Sequence, residues 1–308
     1  MLCGGVGAAR FLRGLIRAVD PAGVTAIVNT ADDMQLHGLA ISPDLDTCTY
    51  TLAEVINPET GWGLVGETWQ AKQTLERYGG QTWFGLGDRD LGTHLYRTQR
   101  LREGATLAEV TREIATAWQL PLSLLPMSND PVRTLVTLAG GETIDFQRYF
   151  VERHHQDPVQ AVSFEGAATA TPSEGVVDAI NDADVLVIAP SNPFVSIDPI
   201  LAVPGIKEAV ASRREHTVAI SPIVGGGAVK GPAADMMRAF GYEVSATGIA
   251  NRYRDLAAYL VIDSVDAALD VAVAKAGMQP HVTNTMMTTT EIATALATFT
   301  LAATGLKQ

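Results

Sequence analysis

The chain has few cysteines and no long apolar run. Its 308 residues include two cysteines, Cys3 and Cys48, too few for a disulfide framework and without the spacing of metal ligands. No run of about 18 apolar residues occurs, so we expect no membrane-spanning helix. No basic and apolar leader precedes Gly4, so we expect no signal peptide. These absences favour a protein of the reducing cytoplasm.

Positive charge is also scarce. There are 22 Lys and Arg residues against 34 Asp and Glu, and the formal net charge is −12. A protein that wraps nucleic acid needs a basic surface, and the sequence has no basic stripe, so we expect no nucleic acid partner. An acidic protein that binds phosphates needs local cations, backbone N–H groups or a divalent cation held by carboxylates. The positions of the aspartates therefore matter more than their number.

The order of the apolar segments predicts an α/β fold. A glycine loop is followed by the apolar strand "VTAIVNT", and between them lies a helix with apolar residues at helical spacing: Phe11, Leu12, Leu15, Ile16 and Val19. This order is typical of a parallel sheet with crossover helices. A helix and then a strand recur twice, with strands expected at 185–189 and 218–221. We therefore expect one domain over residues 1–308 with a Rossmann-like open parallel sheet.

The segment from about residue 57 to 131 differs in its periodicity. The stretches "ETWQAKQTLERY" and "ATLAEVTREIATAW" predict helices, the second with one apolar face formed by Leu107, Val110, Ile114 and Trp118. We expect a mainly helical insertion that covers the active site. Two strand-like runs around Gly140 and Gly141 predict a hairpin after it.

Loops rich in glycine or in Ser and Asn follow three of the expected strands. They are "GGVGAAR", "PSNPFVSI" and "PIVGGGAVKG". Ligands of open parallel sheets bind at the carboxyl ends of the strands, and backbone N–H groups at helix N-termini bind anions there. Each loop alone is equally well explained by tight turns, but the three together favour a phosphate site. Arg10 stands where a dinucleotide fingerprint has its third glycine, which weakens an NAD-binding interpretation.

Four aspartates lie within fifteen residues near the end of the second strand. Asp44 and Asp46, in "ISPDLDT", face one way if that segment is extended, and Thr47 is a candidate N-cap. With Asp32 and Asp33 they suggest a site for a hard cation. The alternative is that Asp44 or Asp46 only caps the helix that follows.

Six motifs in this order resemble the CofD family, called FbiA in actinobacteria. They are "GGVGAARFL", "ISPDLDT", "GWG", "LGDRDLGTHL", "APSNPFVSI" and "SPIVGGGAVKGPA", and they extend from residue 4 to about 235. The members are 2-phospho-L-lactate and phosphoenolpyruvate transferases of coenzyme F-420 biosynthesis. Members begin with a longer strand than Met1–Cys3, so we expect the first strand here to be brief but present.

The resemblance implies a reaction. A guanylylated phospho-acid, either lactyl, enolpyruvyl or glyceryl, is transferred to the primary ribityl hydroxyl of the deazaflavin Fo, and GMP leaves. Positioning and charge neutralisation dominate such a reaction. The resemblance also implies Mg²⁺, no organic cofactor, and a homodimer. Which of the three acids is used stays open.

The resemblance assigns site residues as well. The donor phosphates and nucleotide are assigned to Gly4, Gly5, Gly7, Arg10, Ser191, Asn192, Ser196 and Lys230. The Fo side is assigned to Asp46, Thr47, Asp88, Arg89 and His94. Asp44 and Asp46 are the catalytic candidates, and the metal candidates are Asp32, Asp33, Asp44 and Asp46, with metal and base roles not separable. Arg133 is the candidate for the acid's carboxylate, with a surface salt bridge as its alternative.

Two other functions remain open. Proteins resembling YvcK share the fold and the Gly-Gly loop but bind nucleotide sugars or dinucleotides as regulators, without catalysis. The presence of both "SPDLDT" and "GDRDLGTH" favours the transferase. The third interpretation, an NAD-dependent dehydrogenase, depends on the βαβ start and Asp32.

Overall fold

A computed structural model describes residues 1–305. Its strands are short, and in chain order they are β1 (Leu2–Cys3), β2 (Thr25–Val28), β3 (Met34–Leu36), β4 (Leu39–Ile41), β5 (Ser123–Pro126), β6 (Arg133–Leu138), β7 (Thr143–Asp145), β8 (Val159–Glu165), β9 (Leu186–Ile188), β10 (Thr217–Ile220), β11 (Ile223–Val224), β12 (Gly227–Ala228), β13 (Tyr259–Asp263) and β14 (Gln279–Thr283). The α-helices are α1 (Gly5–Ala18), α2 (Pro43–Leu52), α3 (Gln70–Arg77), α4 (Asp90–Arg102), α5 (Leu107–Ala117), α6 (Val176–Asn181), α7 (Asp198–Leu201), α8 (Ile206–Ser212), α9 (Ala233–Ala239), α10 (Ala246–Tyr253), α11 (Asp270–Lys275) and α12 (Thr290–Ala302).

Seven strands form a central sheet in the order β14-β13-β10-β9-β1-β2-β5. All neighbouring pairs are parallel. The chain proceeds outward from β1 through β2 to β5, and in the opposite direction from β9 through β10 and β13 to β14. The loops that follow β1 and β9 therefore diverge and leave a crevice between them. The predicted Rossmann-like open parallel sheet is confirmed.

Side chains alternate between two buried faces of this sheet. Leu2 and Ile188 belong to one apolar cluster, with α6, α8 and α10. Cys3 and Val187 belong to the other, where α1 packs against α2 and α12. Both faces are covered by helices, so central strands such as β9 are apolar throughout, as is usual in parallel sheets, whereas the edge strand β14 is partly polar. Although β1 has two residues, it pairs with β2 and β9, and the expectation of a brief first strand is confirmed.

The insertion holds α3, α4 and α5. The predicted apolar face of α5 is buried at Val110 and Ile114. The range 57–131 needs correcting, because Ser123–Pro126 is β5, the edge strand of the central sheet beside β2. The pattern also did not predict α4, a helix of 13 residues.

A second, antiparallel sheet has the order β7-β6-β8. Its β6–β7 pair is the predicted hairpin, and Gly141 in the turn has a φ of +86°. Within residues 1–305 no helix has both the length and the apolar character needed to cross a lipid bilayer.

Candidate functional site

A cavity of about 450 Å³ lies at the carboxyl ends of the central strands, where the strand order reverses. The loops after β1, β2, β9 and β10 form its walls, together with α2, α4 and residues 285–288. It has the position expected for the ligand site of such a fold. Its polar and charged lining includes Arg10, Asp32, Asp44, Asp46, Thr47, Asp90, His94, Gln147, Ser191, Asn192, Ser196, Lys230 and Thr285.

The loop after β1 packs so closely on its neighbours that Gly4 and Gly7 have no room for a side chain. A Cβ on Gly4 would lie 2.7 Å from Oδ2 of Asp44, and a Cβ on Gly7 would lie 2.7 Å from the carbonyl oxygen of Pro190. Gly5 has a φ of +75° and no atom within 4 Å of its Cβ position. The hydroxyl of Ser191 donates to the carbonyl of Gly4 over 2.8 Å. The first turn of α1 is thus fixed against β9 and α2, and it is open toward the cavity at Gly5.

The N-terminus of α1 is suited to an anionic group. The first N–H groups of a helix have no acceptor within the helix, and the helix dipole is positive there. The N–H of Gly5 donates to Oδ1 of Asp44 over 2.8 Å. Val6 and Gly7 line the cavity, and the first turn contains no acidic residue. Backbone N–H groups in this position are a common phosphate site.

Asp44 lies in the first turn of α2, and this corrects the expectation of an extended segment. The N-cap position belongs to Ser42, so Thr47 is inside the helix and is not its cap. Asp44 accepts hydrogen bonds from the N–H of Gly5 and, over 3.0 Å, from Nδ2 of Asn29. Burial raises the pKa of Asp44 to about 6, and these two hydrogen bonds limit the rise. Asp44 therefore caps α1 from a neighbouring helix while it lines the cavity.

The two aspartates after β2 have different surroundings. Asp32 is buried and lines the cavity, and its Oδ1 has no hydrogen-bond partner in the described part of the chain. Burial raises the pKa of Asp32 well above its ordinary value, and the charge of Asp44 raises it further. Asp33 accepts a hydrogen bond of 2.6 Å from the hydroxyl of Ser42 and does not line the cavity.

Asp46 is held by a buried arginine. Nη1 of Arg97 donates to Oδ2 of Asp46 over 3.1 Å, and Nη2 donates to Oδ1. Asp46 is 6% exposed and Arg97 is 2% exposed. Burial lowers the pKa of Arg97, but the Asp46 charge and hydrogen bonds raise it to above its ordinary value. Arg97 does not line the cavity, and it is the buried counter-charge of a carboxylate that does.

His94 and Asp90 extend this buried network along α4. Nδ1 of His94 lies 3.3 Å from Nη1 of Arg97, and its Nε2 lies 3.1 Å from Oδ2 of Asp90. The second contact is close but not aligned as a hydrogen bond. Oδ1 of Asp90 accepts a hydrogen bond of 2.7 Å from the hydroxyl of Tyr50. Burial raises the pKa of Asp90, but His94 and Tyr50 lower it to below its ordinary value.

The four aspartates predicted as a metal site do not converge. No group of three or more His, Cys, Asp or Glu side chains in residues 1–305 is arranged to hold a metal ion. Asp46 is paired with Arg97 and Asp33 with Ser42. Asp32 and Asp44 are the pair that fits a hard cation, because both line the cavity and Asp32 has an unpartnered oxygen. Mg²⁺ is commonly bound by one or two carboxylates together with substrate phosphates.

Two cationic side chains belong to the same cavity. Arg10 and Lys230 line it, and partial burial and the charge of Arg10 lower the pKa of Lys230. Nζ of Lys230 donates to the carbonyl of Thr60 over 3.4 Å. The cavity therefore combines cations and backbone amides with carboxylates, and Asp44 lies directly against the N-terminus of α1.

The structure also brings the predicted loop after β9 to the cavity. Ser191, Asn192 and Ser196 all line it. Oδ1 of Asn192 accepts from the N–H of Phe194 over 2.9 Å, and this caps the π-helical turn Pro193–Ile197.

Besides Asp33, three predicted site residues lie outside the cavity. Asp88 accepts hydrogen bonds of 3.0 Å from the N–H groups of Gln70 and Ala71, so it caps α3. The exposed Arg89 donates to the carbonyl of Val65. Arg133 is 53% exposed and pairs with Asp145 and Glu165 on the surface of the antiparallel sheet, which is the alternative given for it from the sequence.

Other cavity residues were not predicted. They are Tyr50, Asp90 and Gln147, the aromatic residues Trp62, Phe84, Phe146 and Phe150, and the segment Thr285–Thr288. A signal existed for Asp90, because it lies four residues before His94 and so on the same helical face. Trp62 lies in the motif "GWG", to which no site role was assigned, and no comparable pattern marked the rest.

The fold and the cavity define an α/β protein with a ligand site at the switch point of its central sheet. The model of the family described as 2-phospho-L-lactate transferase CofD matches residues 1–295. The chain belongs to the CofD family of transferases.

Relatives of this chain are similar over nearly its whole length. A phosphoenolpyruvate transferase of Kitasatospora aureofaciens is 45% identical over 307 residues, covering 98% of this chain and 96% of the relative. A phosphoenolpyruvate transferase of Streptomyces griseus subsp. griseus is 46% identical over 302 residues, covering 96% of this chain and 95% of the relative. The crystal structure of a UPF0052 family protein from Bacillus halodurans has a TM-score of 0.63 at 18% identity, covering 96% of both chains. At this identity the likeness supports the fold alone.

Proposed function

We propose that the chain transfers a phospho-acid from a guanylylated donor to the primary hydroxyl of the deazaflavin Fo and releases GMP. The observation that carries this proposal is that one cavity brings anion-binding groups and carboxylates together. The N-terminus of α1, Arg10 and Lys230 line it, and so do Asp32, Asp44, Asp46 and Asp90. A phosphoryl transferase needs both, since it binds an anionic donor beside a group that orients the acceptor hydroxyl.

The donor belongs at the end formed by α1. Its diphosphate would lie against the amides of Val6 and Gly7, with Arg10 and Lys230 offsetting its charge. Ser191, Asn192 and Ser196 line the adjoining wall, where the nucleotide would bind. Arg133 is left out of this assignment, because it is paired on the surface.

The acceptor belongs at the end formed by α2 and α4. Asp46, Thr47 and His94 line that end, and Trp62, Phe84 and Phe150 supply aromatic surface for a planar ring system. Trp62 is 44% exposed and makes an edge-on contact with Trp69 at 6.4 Å between ring centroids.

The transfer step follows from this placement. The acceptor hydroxyl attacks the phosphorus that carries the acid, and a new P–O bond forms. The P–O bond to GMP breaks, and GMP leaves with the bonding pair. The hydroxyl proton passes to a cavity carboxylate, with Asp44 and Asp46 as the two candidates. Asp32 and Asp44 would hold Mg²⁺, which supplies charge neutralisation at the phosphate oxygens.

We propose the enolpyruvyl compound as the donor among the three acids. The support is the relatives with 42–46% identity, which carry the name phosphoenolpyruvate transferase. The lactyl and glyceryl donors then serve as comparison substrates.

The test is turnover with Fo, Mg²⁺ and each of the three guanylylated donors, followed by product mass. We expect the enolpyruvyl donor to have the largest kcat/KM, and Asp46→Asn to lower its kcat by about 100-fold, because a misplaced acceptor costs that much. Arg133→Ala is the matched control, since it removes a charge that lies outside the cavity. Binding of Fo without turnover of any donor would contradict the transferase proposal and favour a binding role without catalysis.

A further inference from the structure

Arg97 is the only buried Lys or Arg side chain in residues 1–305, and it lies among the carboxylates of α2 and α4. It reaches Asp46 through both Nη atoms and the carbonyl of Ala40 through Nη1 over 3.4 Å. Asp46 lies on α2 and Arg97 on α4, so the pair joins the insertion to the helix that carries the catalytic candidates.

We propose that Arg97 is a positioning residue that orients Asp46 toward the acceptor hydroxyl and holds the ring of His94 beside Asp90. This inference extends the proposed function, on which it depends for the identity of the acceptor. Arg97 itself does not line the cavity, and it acts through two side chains that do.

The first part of the argument is the geometry of the Asp46 pair. The guanidinium fork binds both carboxylate oxygens of Asp46. Two contacts fix the rotation of the carboxylate, whereas a single contact would leave it free to turn. Each carboxylate oxygen has a further lone pair. Asp46 can therefore accept a hydrogen bond from a ligand while it remains paired with Arg97.

The second part is the protonation of His94. A guanidinium has donors and no acceptor, so Nδ1 of His94, 3.3 Å from Nη1, serves as an acceptor. The ring proton of neutral His94 is then on Nε2. Nε2 is buried, close to Asp90 but without an aligned partner among the described residues. Arg97 thus fixes one carboxylate acceptor, Asp46, on the cavity wall and turns the ring donor of His94 toward Asp90, a second carboxylate of that wall.

The alternative is that the pair only stabilises the packing of α4 on α2. A packing role would alter the stability of the folded chain but not the turnover of each folded molecule. A positioning role would lower kcat while leaving the binding of the donor intact, since the donor belongs at the other end of the cavity.

The test compares Arg97→Lys with Arg97→Met and with Arg100→Met. Lysine retains the charge but lacks the fork. Arg100 is on the same helix and pairs with Glu113 and Glu103 near the surface, so its substitution removes an ion pair without touching the cavity. Purified folded protein is assayed for kcat, for the KM of each substrate, for Tm, and for Fo binding by deazaflavin fluorescence.

We expect Arg97→Lys to lower kcat at least about tenfold and Arg97→Met about 100-fold, the scale of a misplaced reacting group. The donor KM should change less than about twofold, and Arg100→Met should match the wild type. Should Arg97→Met not fold, the comparison of Arg97→Lys with Arg100→Met decides, because lysine keeps a buried charge opposite Asp46 and removes only the fork.

Three outcomes would overturn the inference. Wild-type kcat in Arg97→Lys, or equal losses in Arg97→Lys and Arg100→Met, would leave Arg97 with a packing role while the transferase function stands. A wild-type protein that turns over no donor would overturn the proposed function and this inference with it.

Discussion

Gly7→Ala tests whether the close packing of α1 on β9 builds the donor end of the cavity. The new Cβ would lie 2.7 Å from the carbonyl oxygen of Pro190, and ordinary contact begins at 3.4 Å. The two segments must therefore separate by about 0.7 Å, and because the neighbour is backbone, no rotamer change can relieve the contact.

The expected cost of this overpacking is about 1–3 kcal/mol in the free energy of unfolding. In domains of 150–250 residues each kcal/mol corresponds to about 2–4 °C in Tm, and somewhat less in a larger chain. The fall in kcat/KM should be a larger effect than the fall in Tm. The shift moves the first-turn amides by most of an ångström, and a displacement of about 1 Å lowers the rate by up to about 100-fold.

The assay measures Tm by scanning calorimetry and kcat/KM for the guanylylated enolpyruvyl donor. Gly140→Ala is the control, because Gly140 lies in the β6–β7 turn with no atom within 4 Å of its Cβ position. We expect wild-type values for the control and a 10- to 100-fold loss of kcat/KM in Gly7→Ala, about the effect of an ångström-scale displacement. Wild-type kcat/KM in a folded Gly7→Ala protein would refute the assignment of the donor to this end.

Two further predictions concern residues away from the transfer step. Arg133→Ala should leave kcat/KM unchanged and alter the free energy of unfolding by less than about 1 kcal/mol, since exposed ion pairs contribute little. A tenfold rise in donor KM would contradict the surface placement of Arg133. Burial raises the pKa of Asp263, but hydrogen bonds from Val265 and Thr285 lower it to below its ordinary value. The charged form therefore contributes stability above pH 3.8 that is lost as the pH falls through the lower folded-state pKa. Asp263→Asn should lower stability at pH 7 by about 1–3 kcal/mol and flatten the dependence of Tm on pH below about pH 4. Parallel Tm curves for the two proteins would contradict this.

Local patterns predicted the elements whose partners are close in sequence. The glycine loop, α1 and β2 follow one another, so their order alone placed Gly4, Gly5 and Gly7 at a strand end. The helix of "SPDLDT" begins earlier than the candidate N-cap Thr47 implied, because its N-cap is Ser42 and Pro43 is the first residue of α2. Proline is well suited to that position, since the first helical N–H has no acceptor within the helix.

Long-range contacts account for what sequence patterns missed. Arg97 meets Asp46 across 51 positions, and nothing in the spacing of α4 marks it as a buried partner. The sequence alone does not show which of Asp88 and Asp90 lies in the cavity. The start of α4 at Asp90 decides this, because it turns Asp90 toward His94, whereas Asp88 caps α3. Residues 285–288 reach the cavity after the last strand, and Asp263 secures their position by its hydrogen bonds with Thr285.

The most direct test of the transferase account is the stoichiometry of GMP release. Wild-type protein is incubated with Fo, Mg²⁺ and the guanylylated enolpyruvyl donor, and GMP and Fo are quantified over time by chromatography. The account predicts one GMP formed for each Fo consumed, and no GMP when Fo is omitted. Release of GMP without consumption of Fo, or no release at all, would contradict it.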